Sequence, residues 1–353
     1  MKPSTNQARL FNFESLNFEA ARELAIVENV GITNKLHGHT FNAWSFTQQQ
    51  NSAQNPDLQQ VLEPLNYSLL NDIIDNPTDS EILKFIASRK TRFNNEKTII
   101  GLTSTGYQGC VVDDDLSITA WKRYRFEAAH KLPNVPIGHP CGTMHGHGFE
   151  VKISARDSSK SESALYERID AGWLPIQQIL HHKCLNLVPG LENPTSEIIS
   201  QWLWTALTET ISGLDKILVY ETKTCGCEFD GKDFRIWKDQ TFESSLTDKK
   251  NSSVLFGHSY LIRLHLMSDL DSILGWTVDY GDVKRLFAPV YAQLDHKELH
   301  AIASLDETDV AGILKWIKRQ TNESIPELNR LDLFDTPSSG ASLCWGDSSV
   351  PEY

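Results

Sequence analysis

Phe126-Glu-Ala-Ala-His130, followed by Cys141-Gly-Thr-Met-His145-Gly-His147, is the middle one of three versions of a single pattern in this 353-residue chain. Phe18-Glu-Ala-Ala-Arg22 and Phe242-Glu-Ser-Ser-Leu246 flank its first half at intervals of 108 and 116 residues. His37-Gly-His39 and Phe256-Gly-His258 flank its second half at intervals of 108 and 111. Further landmarks keep the same order. Leu65-Asn-Tyr67, Leu180-His-His182 and Leu294-Asp-His296 each close a helical pattern. Asn76-Pro-Thr78 and Asn193-Pro-Thr195 open apolar-periodic runs, and Ser104-Thr105, Glu221-Thr222 and Asp335-Thr336 end apolar strands. Landmarks in constant order that drift by only a few residues predict three homologous domains, at 1–116, 117–231 and 232–353.

Each repeat reads as two strands, a helix, a second helix and two further strands. Asp170-Ala-Gly-Trp and Asp279-Tyr-Gly-Asp place an acid and a glycine at the start of the first helix, as capping favours. Thr195 caps the second helix, with Glu197 in its first turn near the positive dipole end. The expected class is α+β: an antiparallel four-stranded sheet with two helices on one face. Such a sheet leaves two open edges, and open edges invite pairing. Three sheets joined edge to edge predict a closed twelve-stranded barrel.

Composition narrows the function. Hydrophobic residues make up 40% and charged residues 22%, values of an ordinary globular protein. The net charge of −13 argues against sequence-independent nucleic-acid binding, which needs a basic face. Met1-Lys-Pro-Ser-Thr-Asn-Gln7 lacks an apolar core, and no run of eighteen apolar residues occurs. No membrane partner and cytoplasmic residence are therefore expected. Six cysteines in a chain of this size make no disulfide framework, and Cys225-Gly-Cys227 lacks zinc-knuckle spacing.

His145 and His147 are two apart, so on a strand both imidazoles project from one face. His130, from a neighbouring strand, completes a tripod that leaves a tetrahedral zinc one position short, as in catalytic sites. Cys141 lies four residues before His145, close enough to face that position. The outer repeats have lost this set. The first carries Arg22 for the first ligand and Thr33 for the cysteine; the third carries Leu246 or a nearby serine for the first ligand and Phe256 for the second. The Leu-Asp-His landmark runs the other way, because the third repeat has Asp295 beside His296 where the middle one has His181 and His182. A carboxylate can hold an imidazole in one tautomer and stabilise its protonated form. The complementarity suggests one composite site built across two domains.

The chain resembles the 6-pyruvoyltetrahydropterin synthase superfamily of tunnelling-fold (T-fold) units, and within it the 6-carboxytetrahydropterin synthases of 7-deazaguanine (queuosine-precursor) biosynthesis. The residues that carry the likeness are Phe126–His130, Gly138-His-Pro-Cys-Gly142, His145-Gly-His147, Gly190-Leu-Glu-Asn-Pro-Thr195 and Glu221-Thr222. The resemblance implies a Zn2+ ion on His130, His145 and His147, Cys141 as general base, and Glu221 with Thr222 anchoring a pterin. It further implies an Asp-His proton relay, for which Asp295 and His296 are available, while His182 keeps only the histidine of that pair in the middle repeat. The implied substrate is 7,8-dihydroneopterin triphosphate, and the implied assembly is a homodimer that mimics a T-fold hexamer. Rival readings are a sister pterin side-chain lyase of the pyruvoyl type and a non-catalytic pterin- or purine-binding scaffold.

Overall fold

The structure, a computed structural model, describes residues 8–28, 31–49, 57–90, 97–113, 117–156, 162–247, 254–271, 275 and 277–346. Residues 1–7, the boundary residues 114–116 and the side chain of Thr33, all used above, lie outside the described set. The first unit contains β1 (Arg9–Glu28), β2 (Gly31–Gln48), α1 (Leu58–Leu62), β3 (Ser68–Leu69), α2 (Asp79–Lys90), β4 (Thr98–Thr105) and β5 (Gln108–Val112). The second contains β6 (Ile118–His130), β7 (His145–Arg156), α3 (Glu162–Leu180), β8 (Lys183–Cys184), α4 (Ser196–Leu207), β9 (Leu214–Thr222) and β10 (Cys225–Phe229). The third contains β11 (Phe234–Thr247), β12 (Leu255–Met267), α5 (Tyr280–Leu294), β13 (Lys297–Glu298), α6 (Val310–Thr321), β14 (Leu328–Thr336) and β15 (Ser339–Cys344).

Twelve strands close into one antiparallel ring in the order β10-β9-β7-β6-β5-β4-β2-β1-β15-β14-β12-β11, and β11 returns to β10. The last strand of each unit pairs with the first strand of another, at β5–β6, β10–β11 and β15–β1. Closure removes the open edges that three separate four-stranded sheets would leave. The α+β barrel of tandem T-fold units expected from the repeats is the observed architecture.

Strand alternation divides the side chains between two faces. Outward-facing residues such as Phe126, Phe149, Val151 and Ile153 meet Leu165, Ile169, Trp173 and Leu203 of the helices, and the first and third units bury similar cores. The opposite face holds Phe11, Phe13, Trp44, Phe46, Trp121 and Phe334. Gly101 permits this packing, since a Cβ there would come within 2.0 Å of the Trp44 ring. No helix among the described residues is long and apolar enough to cross a membrane.

One helix start differs from expectation. α3 already runs from Glu162, so Asp170 and Gly172 lie inside it. Asp170 is used laterally: its carboxylate accepts from Lys122 Nζ at 2.5 Å and Tyr124 OH at 2.7 Å. Gly172 lets the helix approach Ile211, whose Cγ1 would lie 3.0 Å from an added Cβ. Asp279 does cap α5, its Oδ1 accepting from Gly281 N at 2.7 Å and Asp282 N at 3.1 Å.

Candidate active site

The antiparallel register of β6 and β7 sets His130 opposite His145 and Ala128 opposite His147. All three imidazoles gather on one face, their candidate ligand atoms within 4.8 Å of one another. Each ring turns Nδ1 toward a carbonyl: His130 toward Pro194 O at 3.2 Å, His145 toward Thr143 O at 2.8 Å, and His147 toward Gly148 O at 3.3 Å. An Nδ1–H donating to a carbonyl leaves the Nε2 lone pair free as a ligand. His147 Nε2 and His130 Nε2 then face each other at 3.2 Å. That separation suits a proton shared between the rings or a cation between them, and the edge of a tetrahedral zinc–nitrogen site is about 3.3 Å. Burial, then the neighbouring His145 and His147, push His130 down to about 4, so the ring is neutral and ready to ligate. The three histidines fit a metal.

Cys141 sits in the short turn Pro140–Gly142, held to the end of β6 by Leu132 N donating to Cys141 O at 2.8 Å. His139 begins the turn, and its Nδ1 accepts the Cys141 N–H at 3.2 Å. The other nitrogen, Nε2, lies 3.5 Å from Asp279 Oδ2 of the third unit. Cys141, His139, Glu197, Glu221, Asp279 and Tyr280 converge on a cavity of about 40 Å³ at the β10–β11 seam. The run after Pro194, the residue that holds His130, also lines it through Thr195 and Ser196.

The third unit closes this cavity by hydrogen bonds. Thr277 N donates to Glu197 Oε1 at 2.9 Å, Thr195 Oγ donates to Gly275 O, and Ser196 Oγ lies 2.8 Å from Tyr280 OH. Glu197 therefore does more than favour a helix dipole; it is a buried joint between units. Burial first, then the Glu197 and Asp279 charges, push Glu221 up to about 7, with Lys238 pulling the other way. The Cys141 thiol is also pushed up, by burial and then by Glu221 and Asp279. The protein's own groups thus oppose the thiolate, whereas a metal cation at the histidines would favour it.

Within one chain, Asp295 and His296 lie away from the Cys141 cavity. Asp279 begins α5 at the cavity, whereas Asp295 ends that fifteen-residue helix. Asp295 Oδ2 does meet His296 Nδ1 at 3.0 Å, but its Oδ1 accepts from Glu243 N at 3.0 Å. The same clamp recurs in every unit: Asn66 Oδ1 accepts from Glu19 N and His181 Nδ1 from Glu127 N, at 3.0 and 3.1 Å. The next residue, Tyr67, His182 or His296, takes a left-handed φ of 56°, 57° or 55° and donates its N–H to the same glutamate's carbonyl. The landmark is a docking turn. His182 stacks on His181 at 3.8 Å, outside the Cys141 cavity. Thr222 is spent on the β9–β10 turn, where its Oγ accepts from Thr224 N at 3.1 Å; Thr105 and Thr336 serve their turns alike.

At the β5–β6 seam the equivalent place holds a guanidinium. Arg22 Nε points at His37 Nε2 (3.4 Å) and Nη1 pairs with buried Asp79 at 2.7 Å. Asp79 also accepts from Ser104 Oγ and from Tyr166 OH of the second unit, at 2.5 and 2.9 Å. Tyr166 there answers to Tyr280 here. His139, Asp279 and Tyr280 escaped the sequence reading; Gly138-His-Pro-Cys and Asp279-Tyr-Gly-Asp were visible, but only ring closure brings them together.

The 6-pyruvoyl tetrahydropterin synthase family profile matches residues 119–232 and again 235–344. A Synechocystis 6-carboxy-5,6,7,8-tetrahydropterin synthase is 35% identical over 118 residues, 31% of this chain and 90% of that protein. A Pyrococcus furiosus dihydroneopterin monophosphate aldolase is 26% identical over 94 residues, 26% of this chain and 79% of the relative. Among solved structures, Caenorhabditis elegans 6-pyruvoyl tetrahydropterin synthase aligns with 30% of this chain and 90% of its own at 20% identity and a TM-score of 0.26. A hyper-thermostable uricase mutant aligns with 72% of this chain and 94% of its own at 10% identity and a TM-score of 0.33.

Proposed function

Because this chain belongs to the 6-pyruvoyl tetrahydropterin synthase family, we propose that it is a pterin-forming lyase that converts 7,8-dihydroneopterin triphosphate to 6-carboxy-5,6,7,8-tetrahydropterin. The observation that carries this reading is a set of three ligand-ready histidines on β6 and β7, one of them held by Pro194, whose following residues line the cavity of Cys141 and Glu221. A zinc ion on His130, His145 and His147 would supply Lewis-acid polarisation of the substrate's side-chain oxygens.

The remaining work belongs to the chain's own groups. Ionised Glu221 accepts the pterin's amino and ring N–H groups, a planar bidentate match. Cys141 Sγ removes a side-chain proton as general base. His139, receiving the Cys141 N–H on Nδ1, carries its own proton on Nε2 toward Asp279 and holds the turn in place. Tyr280 and Val278 wall the cavity against water. With water consumed, triphosphate leaves and carbon–carbon cleavage releases a two-carbon aldehyde. The second domain would carry the site, the first and third would close the ring, and two chains would stack as a cytoplasmic homodimer with two sites.

Incubating the protein with 7,8-dihydroneopterin triphosphate and weighing the product tests the reading. The carboxy product supports it, and an unchanged substrate sinks it. Simple side-chain cleavage would favour the chemistry named for the Pyrococcus furiosus relative.

A further inference from the structure

Beyond Tyr280, the same face of α5 covers a second and larger cavity, about 430 Å³, at the β10–β11 seam. Lys238 and Gln240 of β11 lie beneath it, and Lys284, Ala288 and Tyr291 of α5 lie above. Lys238 is also the cation that acts on Glu221, a residue lining the first cavity.

The β5–β6 seam is an internal control. The repeat register equates Lys122 with Lys238, Tyr124 with Gln240, Asp170 with Lys284 and Leu174 with Ala288. At that seam the lysine charge is matched and the aromatic ring is packed: Lys122 and Tyr124 both bind Asp170, and the Tyr124 ring stacks on Trp173 at 4.7 Å. At the β10–β11 seam the acid has become a second lysine and both bulky side chains have become smaller. Among the described residues the hydrogen bond of Lys238 Nζ goes to a hydroxyl, Thr224 Oγ, at 3.2 Å. Lys284 has no ion pair among the described residues, and the buried Gln240 Nε2 has no hydrogen-bond partner among them. The one acid on the lining, Asp239, is taken by Arg263 through two bonds of 2.6 and 2.9 Å. Two like charges and an orphaned amide donor around one void call for an anion with several oxygens. In a chain of net charge −13 this is a local reversal of sign.

We propose that the cavity is a polyphosphate subsite, with Lys238 and Lys284 as its cations and Gln240 as a neutral donor. Identifying the occupant as the substrate's triphosphate tail rests on the function proposed above; the anion site itself does not.

The test titrates full-length protein with inorganic tripolyphosphate by calorimetry, with no pterin present. Wild type binds it, and affinity falls steeply with added salt. Lys284→Asp rebuilds the ion pair of the sister seam and weakens binding about tenfold or more, as does Lys238→Gln. Metal content and melting temperature of both variants serve as folding controls. If tripolyphosphate competes with 7,8-dihydroneopterin triphosphate in the activity assay, the occupant is the substrate tail; if it binds through both lysines without competing, the occupant is a free polyphosphate. Wild type that ignores tripolyphosphate, or variants that bind it equally well, overturn the site. Binding through the lysines without any pterin product would remove the proposed reaction and leave the subsite standing.

Discussion

Asp279 and Asp295 stand at opposite ends of α5, which at 1.5 Å per residue puts their backbones about 24 Å apart. Only Asp279 reaches the turn that carries Cys141, through His139. The third unit thus brings a carboxylate from the start of α5, not from its end, to the turn that carries Cys141.

Asp279→Asn keeps the oxygen that caps α5 and loses the acceptor for His139. It is expected to lower kcat several-fold, the scale of the ~1 kcal/mol of one partly exposed ion pair, with metal content unchanged. Asp295→Ala should leave kcat alone and lower stability by about 1 kcal/mol through the lost bond to Glu243 N. Steady-state kinetics and denaturant melts on the two variants check this; the reverse pattern restores the Asp-His relay.

Elemental analysis should find about one metal per chain, lost in His147→Ala. Arg22→His recreates the tripod with His37 and His39 in the first unit. That variant should take up a second metal, and without metal it should be destabilised by about 3–5 kcal/mol, because Asp79 loses its buried partner. Metal added during thermal melts should return part of that loss. A ratio that stays near one would show that the first unit cannot be reopened.

Cys141→Ala should retain the metal and lose between about a hundredfold and ten-thousandfold in turnover, the range for a general base. Equal activity of the variant would move the base elsewhere.

Glu221 gives a pH signature. Its carboxyl is pushed up to about 7 in the fold against an ordinary 4.5, so between those values the folded state holds a proton the unfolded state has lost. Stability therefore falls as pH rises through this window, by up to about 3 kcal/mol above pH 7. Glu221→Gln abolishes the cost. It should melt higher than wild type at pH 8 and no higher near pH 4.5, while losing affinity for the pterin. Parallel melting curves for the two proteins across the range would contradict this.

The sequence by itself determined what is local. Repeat spacing fixed three units, period-two alternation put His145 and His147 on one face, and Thr195 capped its helix as expected. Those features depend on neighbours a few residues apart or on one hairpin. It could not distinguish Asp170 from Asp279, because acid-x-Gly reads as a helix start in both; a lateral lysine and tyrosine made the first a mid-helix residue. Nor could it tell a docking turn from a relay at Asp295. That Asp279, Tyr280 and Thr277 meet His139, Ser196 and Glu197 follows from ring closure alone, because that seam forms when β11 pairs with β10 and carries α5 onto the preceding unit. Composite sites are written in the closure of the ring, and no linear spacing records which edge meets which.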